Sequence, residues 1–250
     1  MRVLITGGSG TLGSHLARAA AFCDDEILAP SRGDLDVTDL ARARAFVHAS
    51  RPDVIVHCAA VIRTRDANQP EMWAATSRVN VHGTGCIGRA AAEVDAKLVA
   101  VSTDFVFDGR KPGGMYGEDD LPCPLGYYAL SKYAGEQLAL RAPRAVVVRT
   151  TFCADDAWPY PRAFVDRFTS KQRVSLVAQQ LALVAKSDLV GVLHVGGPRQ
   201  SYFELARSIR ADVLPMSMAD VAEDAGLLPV DTSLDCARWR RYCADHGIDA

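Results

Sequence analysis

Short apolar runs rich in β-branched residues recur along the chain and alternate with longer, alanine-rich segments. The runs are Val3-Leu4-Ile5, Glu26-Ile27-Leu28, Val54-Ile55-Val56, Leu98-Val99-Ala100-Val101, Val146-Val147-Val148 and Val192-Leu193-His194-Val195. The segments between them, near 12–22, 39–50, 74–95, 129–141 and 201–210, have helical length. The runs do not alternate cleanly between apolar and polar positions. Strands of that kind are buried on both faces, as in a parallel sheet covered by helices. The pattern predicts a doubly wound α/β fold. The sheet domain is expected over 1–150, completed by 191–211. A smaller substrate-facing lobe is expected from 151–190 and 212–250, where the pattern is less regular.

One stretch interrupts the alternation. Residues 108–126 hold five glycines and three prolines, so they form a loop between a strand and a helix, and a loop of that length is often a binding element. The first strand runs straight into Thr6-Gly7-Gly8-Ser9-Gly10-Thr11-Leu12-Gly13. Glycines after a first strand and before a helix let the backbone turn sharply and approach a pyrophosphate, which points to a dinucleotide. At the end of the second strand NAD enzymes place a carboxylate, but this chain reads Pro30-Ser31-Arg32. Ser31 and Arg32 suit a 2′-phosphate, so NADP(H) is the expected cofactor and NAD(H) the less favoured one.

Composition removes several classes of partner. With 49% hydrophobic and 23% charged residues and a net charge of -2, nothing in the whole-chain field attracts nucleic acid or an anionic membrane. Apolar stretches such as Leu181-Ala182-Leu183-Val184-Ala185 fall far short of the roughly twenty residues of a membrane span. The start, MRVLITGG, reads as the first strand of a cytoplasmic enzyme rather than a signal peptide. The seven cysteines show no Cys-x-x-Cys pair and no zinc spacing, so reduced thiols and no metal are expected.

Candidate chemistry sits in Tyr127-Tyr128-Ala129-Leu130-Ser131-Lys132-Tyr133-Ala134-Gly135-Glu136. On a helix Tyr128 shares a face with Lys132, and Tyr127 with Ser131. An ammonium beside a phenol favours the phenolate and lowers a pKa that starts near ~10. That makes Tyr128 the expected proton donor, Tyr127 a wall or substrate contact, and Tyr133 a packing residue. Together with TGGSGTLG, the Tyr-x-x-x-Lys pair resembles the extended short-chain dehydrogenase/reductase family. Ser102-Thr103-Asp104-Phe105-Val106-Phe107-Asp108-Gly109 and the tyrosine segment are similar to signatures of the dTDP-4-dehydrorhamnose reductases and their sugar-nucleotide relatives. The likeness is almost continuous over 1–152.

The resemblance implies a Rossmann-like NAD(P)-binding fold and a set of roles. Tyr128 would be the general acid, Lys132 would lower its pKa and hold the nicotinamide ribose, and Thr103 would hydrogen-bond the substrate oxygen. Gly7, Gly10, Thr11, Leu12 and Gly13 would surround the pyrophosphate, Asp36 and Val37 the adenine, and Ala59, Ala60 and Val61 the ribose and phosphates. Asp104, Phe105, Tyr127 and Phe152 would face the substrate; a diphosphate there would need local cations, and Arg149, Arg162 and Arg167 lie in that region, although each taken singly reads as an ordinary surface arginine. Related dehydratases carry Thr-Asp-Glu where this chain has Thr103-Asp104-Phe105, so the elimination base is missing. The implied activity is NADPH-dependent reduction of a keto group on a nucleotide-linked deoxysugar, and a homodimer is compatible with it.

The substrate side departs from the family. No proline–threonine element lies between Gln180 and Leu193, so a shortened, poorly ordered stretch over 150–190 and a site open on one side are expected. The departure keeps two alternatives in play. One is an NADP-binding regulatory protein, as in the regulatory subunit of methionine adenosyltransferase, and the other is a sugar-nucleotide epimerase.

Overall fold

The computed structural model describes residues 1–62, 67–221 and 228–249. Six parallel strands form the central sheet: β1 (Arg2–Thr6), β2 (Glu26–Leu28), β3 (Val54–His57), β4 (Lys97–Thr103), β5 (Ala145–Thr150) and β6 (Gly191–His194). Their spatial order is β6-β5-β4-β3-β1-β2. All six apolar runs are therefore strands. The chain leaves β1 toward β2 and returns on the other side to β3, so the strand order reverses between β1 and β3. Ligands of such sheets bind outside the strand ends at that reversal.

Both faces of the sheet are covered. Helices α1 (Thr11–Leu16) and α2 (Leu40–Ser50) come first, followed by a long helix α3 over 73–93. The middle of α3, Arg78–Gly83, is a π-helical turn. Helices α4 (Tyr127–Ala139), α5 (Val174–Lys186), α6 (Tyr202–Ile209) and α7 (Ala237–Asp245) follow. Helices α1, α5 and α7 pack on one face, where Leu12, Leu16, Leu181 and Trp239 meet Val3, Ile5, Val56 and Val148. Helices α2, α3 and α4 cover the other, where Val47, Ile87 and Ala139 meet Leu4, Ile55, Leu98 and Val147. Neighbouring β1 residues thus serve opposite cores, and this is why the strands show no polar alternation.

Helix ends follow local chemistry. Asp39 caps α2 by accepting the Arg42 amide at 3.0 Å, and Arg51 ends the helix in the left-handed region before Pro52. A reciprocal Ser201–Glu204 capping box starts α6. The expected helix over 12–22 stops at Leu16. Ala19 is extended, and a separate 3₁₀ turn, Ala20–Phe22, inserts Phe22 into the core.

The lobe boundaries expected from the sequence need correction. Within 151–190 the strands up to Arg173 belong to the small lobe, but the 13-residue helix α5 does not, because its apolar face sits in the sheet core. Helix α7 likewise belongs to the sheet. By contrast α6, assigned to the sheet domain, packs in a separate small core with Trp158, Ala163 and Val213. The small lobe consists of three short strand pairs, Phe152–Cys153 with Gln172–Arg173, Arg162–Phe164 with Leu214–Met216, and Phe168–Thr169 with Gln200–Ser201, together with α6. A fourth cluster pins the loop over 108–126, with Phe107 and Tyr116 against Leu234 and Cys236. Among the described residues no helix is long and apolar enough to cross a membrane.

Candidate active site

A cleft of about 530 Å³ opens at the ends of β1, β3, β4 and β5, at the strand-order reversal. Its first wall is backbone. Gly7 has φ +70°, and a Cβ added there would lie 2.8 Å from Ala59 Cα, so only glycine lets the β1 and β3 exits come together. A Cβ on Gly13 would lie 2.3 Å from the Gly7 carbonyl oxygen, which fixes glycine at the start of α1 as well.

Every residue expected at the glycine loop lines this cleft, namely Gly7, Gly10, Thr11, Leu12 and Gly13, as do Asp36, Val37, Ala59, Ala60 and Val61. Asp36 accepts the Thr38 amide at 2.9 Å and its hydroxyl at 2.8 Å, bonds that hold its carboxyl below the usual range. Arg32 lies at the rim with 83% of its side chain exposed, 3.9 Å from Asp36. Ser31 does not line the cleft. Its hydroxyl donates to Asp34 at 2.6 Å, so the expected phosphate contact from Ser31 is corrected to a turn-closing bond.

The far wall is made of side chains. Thr103, Tyr128 and Lys132 all line the cleft, brought together by the end of β4 and the first two turns of α4. Asn68 accepts the Tyr128 amide at 2.9 Å and satisfies one of the free donors at the start of α4. The Thr103 hydroxyl donates to Asp104 at 3.2 Å and accepts the Phe105 amide at 3.2 Å. Asp104 is buried, also accepts from Thr232 at 2.7 Å, and is raised above the usual carboxylate range by burial.

The expected effect of Lys132 on Tyr128 does not appear. Burial pushes the Tyr128 phenol up to about 12, a hydrogen bond with Thr103 opposes this, and the Asp104 charge adds to it. Lys132 Nζ instead donates to the Val101 carbonyl at 2.7 Å. The two side chains share a helical face, yet desolvation dominates Tyr128 and moves its phenol further from ionisation rather than toward the phenolate.

Of the residues expected at the substrate, Asp104, Phe105 and Phe152 line the cleft. Tyr127 does not, because it stacks on Trp73 at 4.8 Å and bonds Ser77 at 2.7 Å. Tyr133 packs against the cluster that pins the 108–126 loop. None of the three arginines reaches the cleft. Arg149 is buried against Glu136, Arg162 pairs with Asp220 at 3.1 Å, and Arg167 donates to the Pro229 carbonyl and lies 4.5 Å from the Tyr202 ring centroid.

Sequence reasoning missed Lys171 and Thr151, which line the substrate side, and Asn80. The Asn80 side chain accepts the Val61 amide at 2.7 Å and donates to the Ser131 hydroxyl at 2.9 Å, tying the cofactor wall to α4. The signal for Asn80 was its place in Val79-Asn80-Val81-His82-Gly83-Thr84. Lys171 had none, since only the strand pairing around it brings it to the cleft.

A sequence model of the RmlD substrate binding domain matches residues 1–243. The dTDP-4-dehydrorhamnose reductase of Mycobacterium tuberculosis is 42% identical over 163 residues, covering 64% of this chain and 50% of that protein. The dTDP-4-keto-6-deoxy-D-glucose reductase of Streptomyces niveus is 31% identical over 235 residues, covering 82% of this chain and 76% of that protein. Among solved structures, the dTDP-4-dehydrorhamnose reductase of Bacillus anthracis in complex with NADP matches with a TM-score of 0.86 and 27% identity, over 96% of this chain and 92% of that one. The chain spans about half the length of the mycobacterial relative.

Proposed function

The chain belongs to the RmlD substrate binding domain family, and from that premise we propose that it reduces a keto group on a nucleotide-linked deoxysugar with NADPH, Tyr128 acting as general acid. The observation that carries the reading is that Thr103, Tyr128 and Lys132 open onto the same cleft as the glycine loop. The residues present fit the cofactor. Gly7 and Gly13 let the β1 exit, the β3 exit and the start of α1 close up into a wall of bare backbone along the cleft, Arg32 stands at the adenosine end beside Asp36 with its side chain exposed to meet a 2′-phosphate, and Lys132 offers an ammonium at the other end.

Bound NADPH supplies the hydride. The chain's own groups manage charge and protons. A reductive acid must arrive carrying its proton, as the Tyr128 phenol does, and burial pushes it further from ionisation. Thr103, beside Tyr128, offers a hydroxyl to the same substrate oxygen as negative charge builds there. Phe105 and Phe152 supply apolar walls that keep water from the reacting carbon. Phe105 also stands where a dehydratase needs a carboxylate, which supports reduction over elimination.

The test is NADPH consumption by purified protein with a panel of nucleotide-linked 4-keto-6-deoxysugars. Stoichiometric oxidation with one of them is expected. Saturable NADPH binding without any consumption would move the reading to a regulatory protein, and interconversion of sugars with no net consumption would move it to an epimerase.

A further inference from the structure

Behind Lys132, away from the cleft, lies a charged group that the reaction scheme does not use. Glu136 follows Lys132 by four residues on the same face of α4 and is 2% exposed. Its carboxylate accepts the Ser102 hydroxyl at 2.5 Å and the Arg149 guanidinium through Nε at 3.1 Å and Nη2 at 2.9 Å. Lys132 Nζ bonds the Val101 carbonyl rather than this carboxylate. A void of about 10 Å³ lies among Lys132, Glu136, Ser102, His57 and Thr84, room for about one water.

The other groups facing Lys132 are neutral at pH 7. Burial holds His57, at the end of β3, down at about 3, and pushes the next residue, Cys58, up to about 12. Tyr128, on the same helix, is a phenol. Asp104, at the end of β4, acts on Tyr128, and Arg149, from β5, stands behind Glu136. Burial pulls Lys132 down to about 8, and the charges that oppose this are Glu136 first and Cys58 second. With the thiol protonated, Glu136 is the acting anion among the described residues.

We propose that Glu136, clamped by Arg149, is a positioning residue for Lys132: it keeps the ammonium charged from across a water-sized gap and leaves Nζ free to serve the cleft. A direct Lys132–Glu136 ion pair would keep the charge but draw Nζ away from the cofactor side. The bidentate Arg149 fork prevents that by occupying the carboxylate. The proposal rests on the reductase reading only for the catalytic use of Lys132.

The experiment is a pH titration by NMR of protein labelled at lysine ¹³Cε, alone and with NADP⁺. The lysines are Lys97, Lys111, Lys132, Lys171 and Lys186, and Lys132→Met assigns the signal of interest. Wild type is compared with Glu136→Gln and with Glu136→Gln/Arg149→Met. The double variant removes the buried Arg149 guanidinium together with its carboxylate partner, so no guanidinium is stranded and the fold is kept if the single variant loses it. The Lys132 midpoint is expected to fall by at least ~1 pH unit in the folded variants while Lys111 and Lys186 stay in place. NADPH affinity, measured in parallel, should begin to weaken at lower pH than in wild type. An unmoved Lys132 midpoint in the folded double variant overturns the proposal. A moved midpoint in a protein that reduces no keto-sugar retires only the reductase reading.

Discussion

The two ends of the cleft are built by different means. At the β1 and β3 exits the wall is backbone, closed so tightly that a Cβ on Gly13 would lie 2.3 Å from a carbonyl oxygen. At the β4 and α4 end the wall is a set of buried polar side chains, with Thr103, Lys132 and Tyr128 only 6%, 8% and 9% exposed. The first end depends on shape and carries little charge. The second depends on which groups hold protons, and burial decides that. Substitutions at the glycine end should therefore change binding and stability without a pH signature. Those at the side-chain end should fall on turnover, on charge and its pH dependence, or on the buried pair behind it.

The largest expected effect breaks the buried pair behind the side-chain end. Arg149→Met strands Glu136 without its partner and should cost about 3–5 kcal/mol of stability, read from urea unfolding. A loss below about 1 kcal/mol would mean that water reaches the pair and that the two ends are less distinct than described. Next comes Tyr128→Phe, which removes only the proton donor. Turnover should fall at least ~100-fold, with NADPH affinity kept. Tyr127→Phe, at a side chain committed to Trp73 and Ser77, should leave turnover within about threefold. A reversal of those two results would show that α4 presents its other face.

At the glycine end, Gly13→Ala should destabilise by about 1–3 kcal/mol through overpacking and weaken NADPH and NADH alike, by calorimetry. The smallest effect belongs to the rim. Arg32→Ala should weaken NADPH about tenfold, the worth of one charged hydrogen bond, and leave NADH unchanged. Equal losses for both cofactors would place Arg32 away from the 2′-phosphate.

The same contrast explains what was legible in the sequence. The strands and the glycine loop could be read because each is specified locally: β-branched runs for the sheet, and small residues wherever two backbones meet. The Tyr128–Lys132 pair could be read because helical spacing alone puts both on one face. Helical spacing does not say what covers the opposite face, so the turn of Tyr127 toward Trp73 was hidden. Nor does it weigh desolvation against charge, so the direction of the Tyr128 shift was missed. Helix α5 was written in the chain, as Val174, Val177, Ala178, Leu181, Ala182 and Ala185 follow a helical repeat. Its polar positions are few, however, and an apolar run split at Gln179-Gln180 reads as two short pieces. The inward turn of Arg149 needed tertiary partners, with Glu136 arriving from α4. Lys171 needed the pairing of Phe152–Cys153 with Gln172–Arg173.

The bond between Asp104 and Thr232 joins residues 128 positions apart. Leu234, beside Thr232, also completes the cluster around Phe107 and Tyr116. The order of synthesis therefore separates the two ends in time. Chains emerge at roughly 5–20 residues per second, so Asp104 waits on the order of ten seconds for its partner. During that interval the glycine loop, β3 and β4 are already available to assemble, whereas the carboxylate at the end of β4 and the loop over 108–126 have nothing to close against. Closure of the reaction chamber is therefore among the last steps open to a chain made from its N-terminus.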